Sequence, residues 1–295
     1  MALTSDTYQQ VVEFYFDGEA QVSSKWEDAY EQRTDQTGSI KLGSFSTEGV
    51  NRVPGWNGAT AVPQARVRDI GSKTVNFAQF ALQFRISKLE ARFNPTLVPD
   101  TVRGVGRAVA NTKAILAAAI FNGQHSTTTV VPGSKTLAAT DHPTALGGTR
   151  SNKLSTGCDL AAIFAAMTLA RQWVTYDGGD YDLAEYGWNL FHPVVAGLEQ
   201  VVAAGLGSAV TSDQQQKNTV GAFGISQIVW SKIANASHWG LVSKAVKTLG
   251  FWELLAAEDT IDVDEDSRQI KITVDGAWAA YAKPQPSGFI GGNAG

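Results

Sequence analysis

The sequence predicts an α+β fold, and three observations carry that prediction. Between Asn94 and Gly123 apolar residues recur at helical spacing over one long stretch. Immediately upstream, alternating apolar and polar residues mark an extended β-hairpin, and beyond residue 225 the chain returns to strand-like runs separated by short turns. The longest helix and most of the strands therefore occupy separate parts of the chain, as in an α+β fold.

The long helix, expected over residues 96–122, acts as a spine. Val98, Val102, Val105, Val109, Leu116 and Ile120 fall at steps of four, three, four, seven and four, with Thr112 in the one gap, which draws a single apolar stripe. Pro99 suits a first turn, Asp100 complements the positive end of the helix, and Gly123 is placed to stop it in a left-handed conformation. About 24 residues at 1.5 Å each make it roughly 36 Å long. Gly104 and Gly106 lie inside this helix, where each costs about 1 kcal/mol relative to Ala. They are read as positions where another backbone comes close.

Residues 1–50 are polar and charged apart from Val11, Val12, Phe14, Tyr15 and Phe16 and a lone Trp26. That is too little to bury unaided, so two readings stay open: a partly ordered tail, or an arm that docks Phe14, Phe16 and Trp26 on a neighbouring subunit. Residues 51–63, NRVPGWNGATAVP, are dense in turn formers around Trp56. A hairpin follows, one strand through Val62 to Ile70, a turn at Gly71-Ser72, and a return strand from Lys73 through Ile86. A long two-stranded hairpin is marginal unless something covers it, so Trp56, Val67, Arg68, Ile70, Lys73, Val75 and Phe77 are candidates for contact with another subunit.

After the spine, residues 125–150 are rich in Thr, Gly and Pro and mark a boundary. Thr156 and Asp159 resemble a capping box ahead of a helix with the stripe Leu160, Ile163, Phe164, Met167, Ala170 and Val174. Residues 187–191 read as a short buried strand, and His192-Pro193 as the start of a second helix through Val194, Leu198, Val201 and Val202. A polar loop, 211–220, leads to strands at 225–230, 239–242, 250–256 and 269–281. The end of the chain, PQPSGFIGGNAG, has the composition of a loosely held tail.

The chemistry of the residues is poor in catalytic signals. Four histidines, His125, His142, His192 and His238, show no metal-ligand spacing, and a single cysteine, Cys158, excludes an internal disulfide or a cysteine-built zinc site. Asp262, Asp264 and Asp266 open like a calcium loop, but Ser267 replaces its glycine and Thr273 its final Glu. Gly104-Val105-Gly106 sits within a helix, where a dinucleotide fingerprint cannot work, and neither a Walker A loop nor a Gly-x-Ser-x-Gly elbow occurs. No catalytic residue, cofactor or metal is expected. Net charge is −4, with 24 Lys and Arg against 28 Asp and Glu, and no basic cluster suited to specific nucleic-acid binding. A mildly acidic wall still suits a container that must release its nucleic acid. No apolar run is long enough to span a membrane, and the first residues lack the features of a signal peptide.

The segments FALQFRISKLEARF, PTLVPDTVRGVGRAVANTKAILAAAIFNG, WNLFHPVVAGLEQVV and GFWELLAAEDTIDVDEDSRQIKITVDGAWAAYAKP come in an order that resembles the major capsid proteins of tailed bacteriophages, the Hong Kong 97-type fold. The strand followed by Pro and a GLEQ run, with the TDHP loop, looks closest to the head subunits of Mu-like phages. The resemblance implies an N-terminal arm (1–50), an extended E-loop hairpin (51–87), a peripheral domain (88–150 and 237–283) containing the spine, an axial α/β domain (151–236) and a C-terminal tail (284–295). It further implies hexamers and pentamers of one subunit in an icosahedral shell around double-stranded DNA in the virion, with scaffold, portal and decoration proteins as partners. An encapsulin-like compartment housing a cargo enzyme is the alternative. With the arm beginning at Met1, a separate scaffold protein is expected rather than a cleaved scaffolding domain. Lys73 has no evident asparagine partner, so the covalent cross-linking of some family members is not carried over.

Overall fold

A computed structural model describes residues 5–34, 39–47, 67–94, 96–130, 133–144, 148–173, 183, 185–195, 198–199, 202, 224–264 and 269–293. Helix α1 (Ser5–Ala20) and a 3-10 turn (Lys25–Ala29) precede β1 (Tyr30–Thr34), β2 (Ser39–Thr47), β3 (Val67–Asn76) and β4 (Ala78–Ser87). Helices α2 (Lys88–Phe93) and α3 (Leu97–Asn122) follow. Next come the short strands β5 (Thr129–Val130), β6 (Lys135–Thr136), β7 (His142–Pro143), β8 (Thr149–Arg150) and β9 (Lys153–Leu154). Helix α4 (Leu160–Arg171) leads to β10 (Trp188–His192), β11 (Ile225–Val229), β12 (His238–Ser243), β13 (Leu249–Asp264), β14 (Gln269–Ala282) and β15 (Phe289–Asn293).

The chain forms two compact units, each assembled from separated segments. The first takes residues 1–40, 75–119 and 250–281. Its sheet has the order β1-β13-β14-β4, and β14 pairs antiparallel with β4 from Trp278↔Ala78 to Gln269↔Ser87. The spine helix α3 contributes Val102, Val105, Val109, Ala110, Ala114, Ala117 and Ala118 to the core. The expected stripe therefore holds for its first half and then drifts: Leu116 and Ile120 are only half-buried, because the alanines let the backbone itself approach its neighbours.

Helix α1 is the main departure from a loose arm. Val11, Tyr15 and Gly18, one helical stripe, are buried, and the helix lies on α3 of its own subunit. Side chains fasten the crossing: Arg107 Nη1 donates to Gln21 Oε1 at 3.1 Å, and Lys113 Nζ lies 3.4 Å from Glu19 Oε1 and 2.8 Å from Glu253 Oε1. Burial raises the pKa of Glu27, with the nearby Lys113 charge opposing.

The second unit takes residues 41–74, 120–249 and 282–295. Its sheet has the order β11-β10-β12-β15-β9. Strands β10 and β11 are parallel, β10/β12 and β12/β15 antiparallel, and β15/β9 parallel. On one face Trp188, Leu190, Trp239, Leu241 and Ile290 pack with Ile163, Ala166 and Met167 of α4. Phe191 and Phe289 point the other way, their rings 5.1 and 5.8 Å from Phe121 in the last turn of the long helix. This alternation is the period of two expected of strands covered on both sides.

Several expectations are corrected. Gly71 and Ser72 make no turn: they lie inside β3, with Gly71 at φ +130°, and β3 pairs with β2. Gly123 is not left-handed; the helix ends because its carbonyl accepts the N–H groups of Ser126, Thr127 and Thr128. Asp159 caps α4 alone, its carboxylate accepting from the Ala162 N–H at 2.7 Å, and Phe164 is 46% exposed rather than part of the stripe. Strand β12 and residues 120–150, expected with the peripheral segments, belong to the second unit. Nor is the C-terminus loose, for β15 is paired on both edges and Phe289 and Ile290 are fully buried. Pro193 is followed by irregular chain to Val195; most of the expected second helix, with the 211–220 loop and the tip of the acidic turn, lies outside the described residues.

Candidate functional site

Titratable groups in the second unit serve its structure. Asn152, fully buried, accepts from the Ala139 N–H at 2.9 Å and donates through Nδ2 to the Leu137 and Phe289 carbonyls at 2.8 and 3.1 Å. Its Oδ1 also lies 3.0 Å from Nε2 of His142, whose pKa burial lowers. The Arg150 guanidinium sits 5.0 Å from the Trp173 ring, and burial brings its pKa down to about 10. His192 Nδ1 is 2.8 Å from the Pro193 carbonyl, with Nε2 2.8 Å from Gln227 Nε2. His125 and His238 meet edge to face at 4.9 Å, and burial lowers the pKa of both. Burial and the Asp159 charge push the Cys158 thiol up to about 12, which leaves it inert at neutral pH.

Among the described residues no three His, Cys, Asp or Glu side chains converge on a metal-sized site. In the first unit an apolar cleft of about 190 Å³ is lined by Phe80, Leu82, Val109, Thr112, Val274 and Trp278, with Asp275 its one titratable side chain. The Asp275 carboxylate there stands among apolar walls, with no second titratable side chain in the lining to pair with it.

The residues singled out as contacts divide by burial. Trp56 lies outside the described residues, and Val67, Arg68 and Ile70 belong to β3. Lys73 is half-buried, its ammonium donating to the Thr129 carbonyl at 2.7 Å, and burial lowers its pKa. Val75 is buried within its own subunit, and Phe77 stacks on Trp252 at 6.4 Å. Trp26 is not a docking residue. It is 4% exposed, 5.0 Å from Phe251 and 5.5 Å from Tyr30, so it closes the core of its own chain. The Tyr30 hydroxyl donates to the Ala117 carbonyl at 2.7 Å, tying that cluster to the spine. Phe14 is half-buried beneath the Arg103 guanidinium at 4.6 Å, whereas Phe16 is 59% exposed.

Along the spine Val98 is half-buried and Val102, Val105 and Val109 are core residues. Gly106 meets a backbone: a Cβ there would overlap the Tyr15 carbonyl oxygen, and one at Gly18 would overlap the carbonyl of Arg103. Gly104 differs, since a Cβ there would find only the tip of Arg107, 3.9 Å away. Residue patterns missed the exposed pair Leu89 and Phe93 on α2, at 64% and 80%. Their spacing of four, capped by the Ser87 hydroxyl that accepts from the Leu89 N–H, is the signal that a short helix was present there.

No helix of the described residues is long and apolar enough to cross a membrane. No curated protein matches the sequence significantly. Solved structures match its fold: the mature capsid of bacteriophage PhiM1 is 10% identical with a TM-score of 0.60, covering 92% of this chain and 87% of that one. The capsid of cyanophage P-SCSP1u is 12% identical with a TM-score of 0.59, over 92% and 88% of the two chains. A virus-like particle from Pyrococcus furiosus is 9% identical with a TM-score of 0.53, over 96% and 97%. The architecture is that of the Hong Kong 97-type capsid fold. The sequence model of the phage capsid protein family matches residues 71–290, about three quarters of the chain and parts of both compact units. The two units, their mixed helix and sheet and this match have one conclusion, that the chain belongs to the phage capsid protein family.

Proposed function

We propose that this protein assembles as hexamers and pentamers into the icosahedral head of a tailed bacteriophage and encloses double-stranded DNA there without reading its sequence. The observation that carries the reading is the family match over residues 71–290. The surface agrees with it: a net charge of −4 and no basic cluster suit a wall that contains DNA without gripping it. A compartment shell of the encapsulin kind is not favoured, because the family that matches is one of phage capsids. The Mu-like affinity rests on the TDHP loop and the GLEQ run alone.

In this reading β2 and β3, a two-stranded sheet by themselves, form the ribbon that lies on a neighbour, with residues around Trp56, Val67, Arg68 and Ile70 in contact. The subunit does no chemistry; its work is geometric, and burial between copies supplies the stability of the shell. Scaffold, portal and decoration proteins complete the head. Electron microscopy of the purified protein, alone and with a crowding agent, tests this. Closed shells or capsomer rings are expected, and a monomer that never associates at high concentration overturns the reading.

A further inference from the structure

Two exposed faces of the first unit are unsatisfied within the subunit and complementary to each other. On α1 the outward stripe is Glu13, Phe16, Asp17 and Ala20, opposite the Val11, Tyr15 and Gly18 that pack on α3. Phe16 is 59% exposed, and its one ring contact is the adjacent Tyr15 at 5.6 Å. Asp17 reaches Arg103 only at 3.9 Å. The second face is α2, where Leu89 and Phe93 are 64% and 80% exposed and stand one turn apart. Lys88 and Arg92, also one turn apart, flank them, with the exposed Arg85 just upstream on β4 and Glu90 as the helix's single acid. No hydrogen bond, ion pair or ring contact joins Glu13 or Phe16 to Lys88, Leu89, Arg92 or Phe93 in the same chain.

An acidic face with an exposed aromatic ring and a basic face with an exposed apolar pair match in charge and in apolar character. We infer that α1 of one subunit docks on α2 of the next, Phe16 seating against Leu89 and Phe93 while Glu13 and Asp17 face Lys88 and Arg92. The two faces differ, so the contact is head-to-tail, and a head-to-tail contact repeated with a closing rotation makes a ring. This inference rests on the shell-forming reading and names the side chains through which adjacent copies in one capsomer recognise each other. Opposite charges around a small apolar centre give such a contact its register and its salt dependence.

Charge exchange tests it in the full chain. The double variants E13K/D17K and K88E/R92E each place like charges across the contact. Each is expected to raise the protein concentration needed for assembly by about tenfold, with the thermal unfolding midpoint little changed, because Glu13, Asp17 and Arg92 are exposed, Lys88 is half-buried and the Asp17–Arg103 pair at 3.9 Å lies on the surface. The combined variant E13K/D17K/K88E/R92E restores opposite signs and is expected to assemble within about threefold of the parent. Parent-like assembly of both partial variants overturns the contact while leaving the shell reading intact. Loss in both without recovery in the combination also overturns it, since the two faces would then meet something other than each other. A parent protein that never assembles removes the shell reading and this contact together.

Discussion

Two glycines one turn fraction apart in the same helix face opposite fates. Gly106→Ala pushes a methyl group into the Tyr15 carbonyl, so α1 and α3 must separate, and a loss of about 1–3 kcal/mol is expected despite the better helix propensity. Gly104→Ala meets only the flexible tip of Arg107 at 3.9 Å, and a gain of about 0.5–1 kcal/mol is expected. Denaturant midpoints of the two variants, measured together, check the contrast; equal shifts would refute the crossing. Trp26→Ala empties a site bounded by Tyr30 and Phe251 and is expected to cost about 3–5 kcal/mol in the same measurement, far more than removal of a surface docking residue. Periodicity reveals that Gly106 is anomalous, but the Tyr15 carbonyl it meets is 91 positions away, and nothing in one sequence links the two. Trp26 misled for a related reason: a lone aromatic in polar surroundings has no local signal for the distant Phe251 it packs on.

At the level of elements, the spine, α4 and the strands β10 to β14 were legible because each carries its apolar residues at its own period over many positions. The C-terminal strand β15 was not. Its sequence FIGGN reads as a tail, yet Gly291 and Gly292 are there because Ala138 and the Trp239 indole occupy the space a Cβ would need. Removing residues 289–293 is therefore expected to unfold the second unit, visible as loss of its protection in hydrogen exchange, while a loose tail would leave it unchanged. The histidines beside this strand make it sensitive to acid. His125 Nε2 lies 3.2 Å from the Gly292 carbonyl, and burial holds the pKa of His125, His142 and His238 below the ordinary value of about 6.5. The unfolded chain then binds more protons than the folded one, so stability is full above about pH 6.5 and declines as pH falls below it. Glu27 in the first unit has the opposite sign, its raised pKa favouring the folded form on acidification. Unfolding midpoints of the second unit between about pH 7 and 5 should fall, and less so in His238→Gln; a flat profile would contradict the burial of these rings.

For the whole molecule, the proposed contact between copies runs through residues 48–66, which join β2 to β3. Replacing residues 48–66 with a short Gly/Ser linker is expected to leave the thermal unfolding of the units within a few degrees of the parent while preventing shell formation, read by sedimentation. Retained assembly would show that residues 48–66 are dispensable for it. The spine and the terminal strands are legible in sequence order, whereas the bounds of the compact units are not, because both units draw on distant segments and β12 lies at the centre of the second sheet. That interleaving has a consequence for synthesis. Strand β15 stands between β12 and β9, so the second unit's sheet stays open until residues 289–293 have left the ribosome, and the first unit waits for residues 250–281. A chain from which residues 289–293 have not yet emerged thus lacks a finished second unit, and synthesis itself delays the surfaces through which copies could meet.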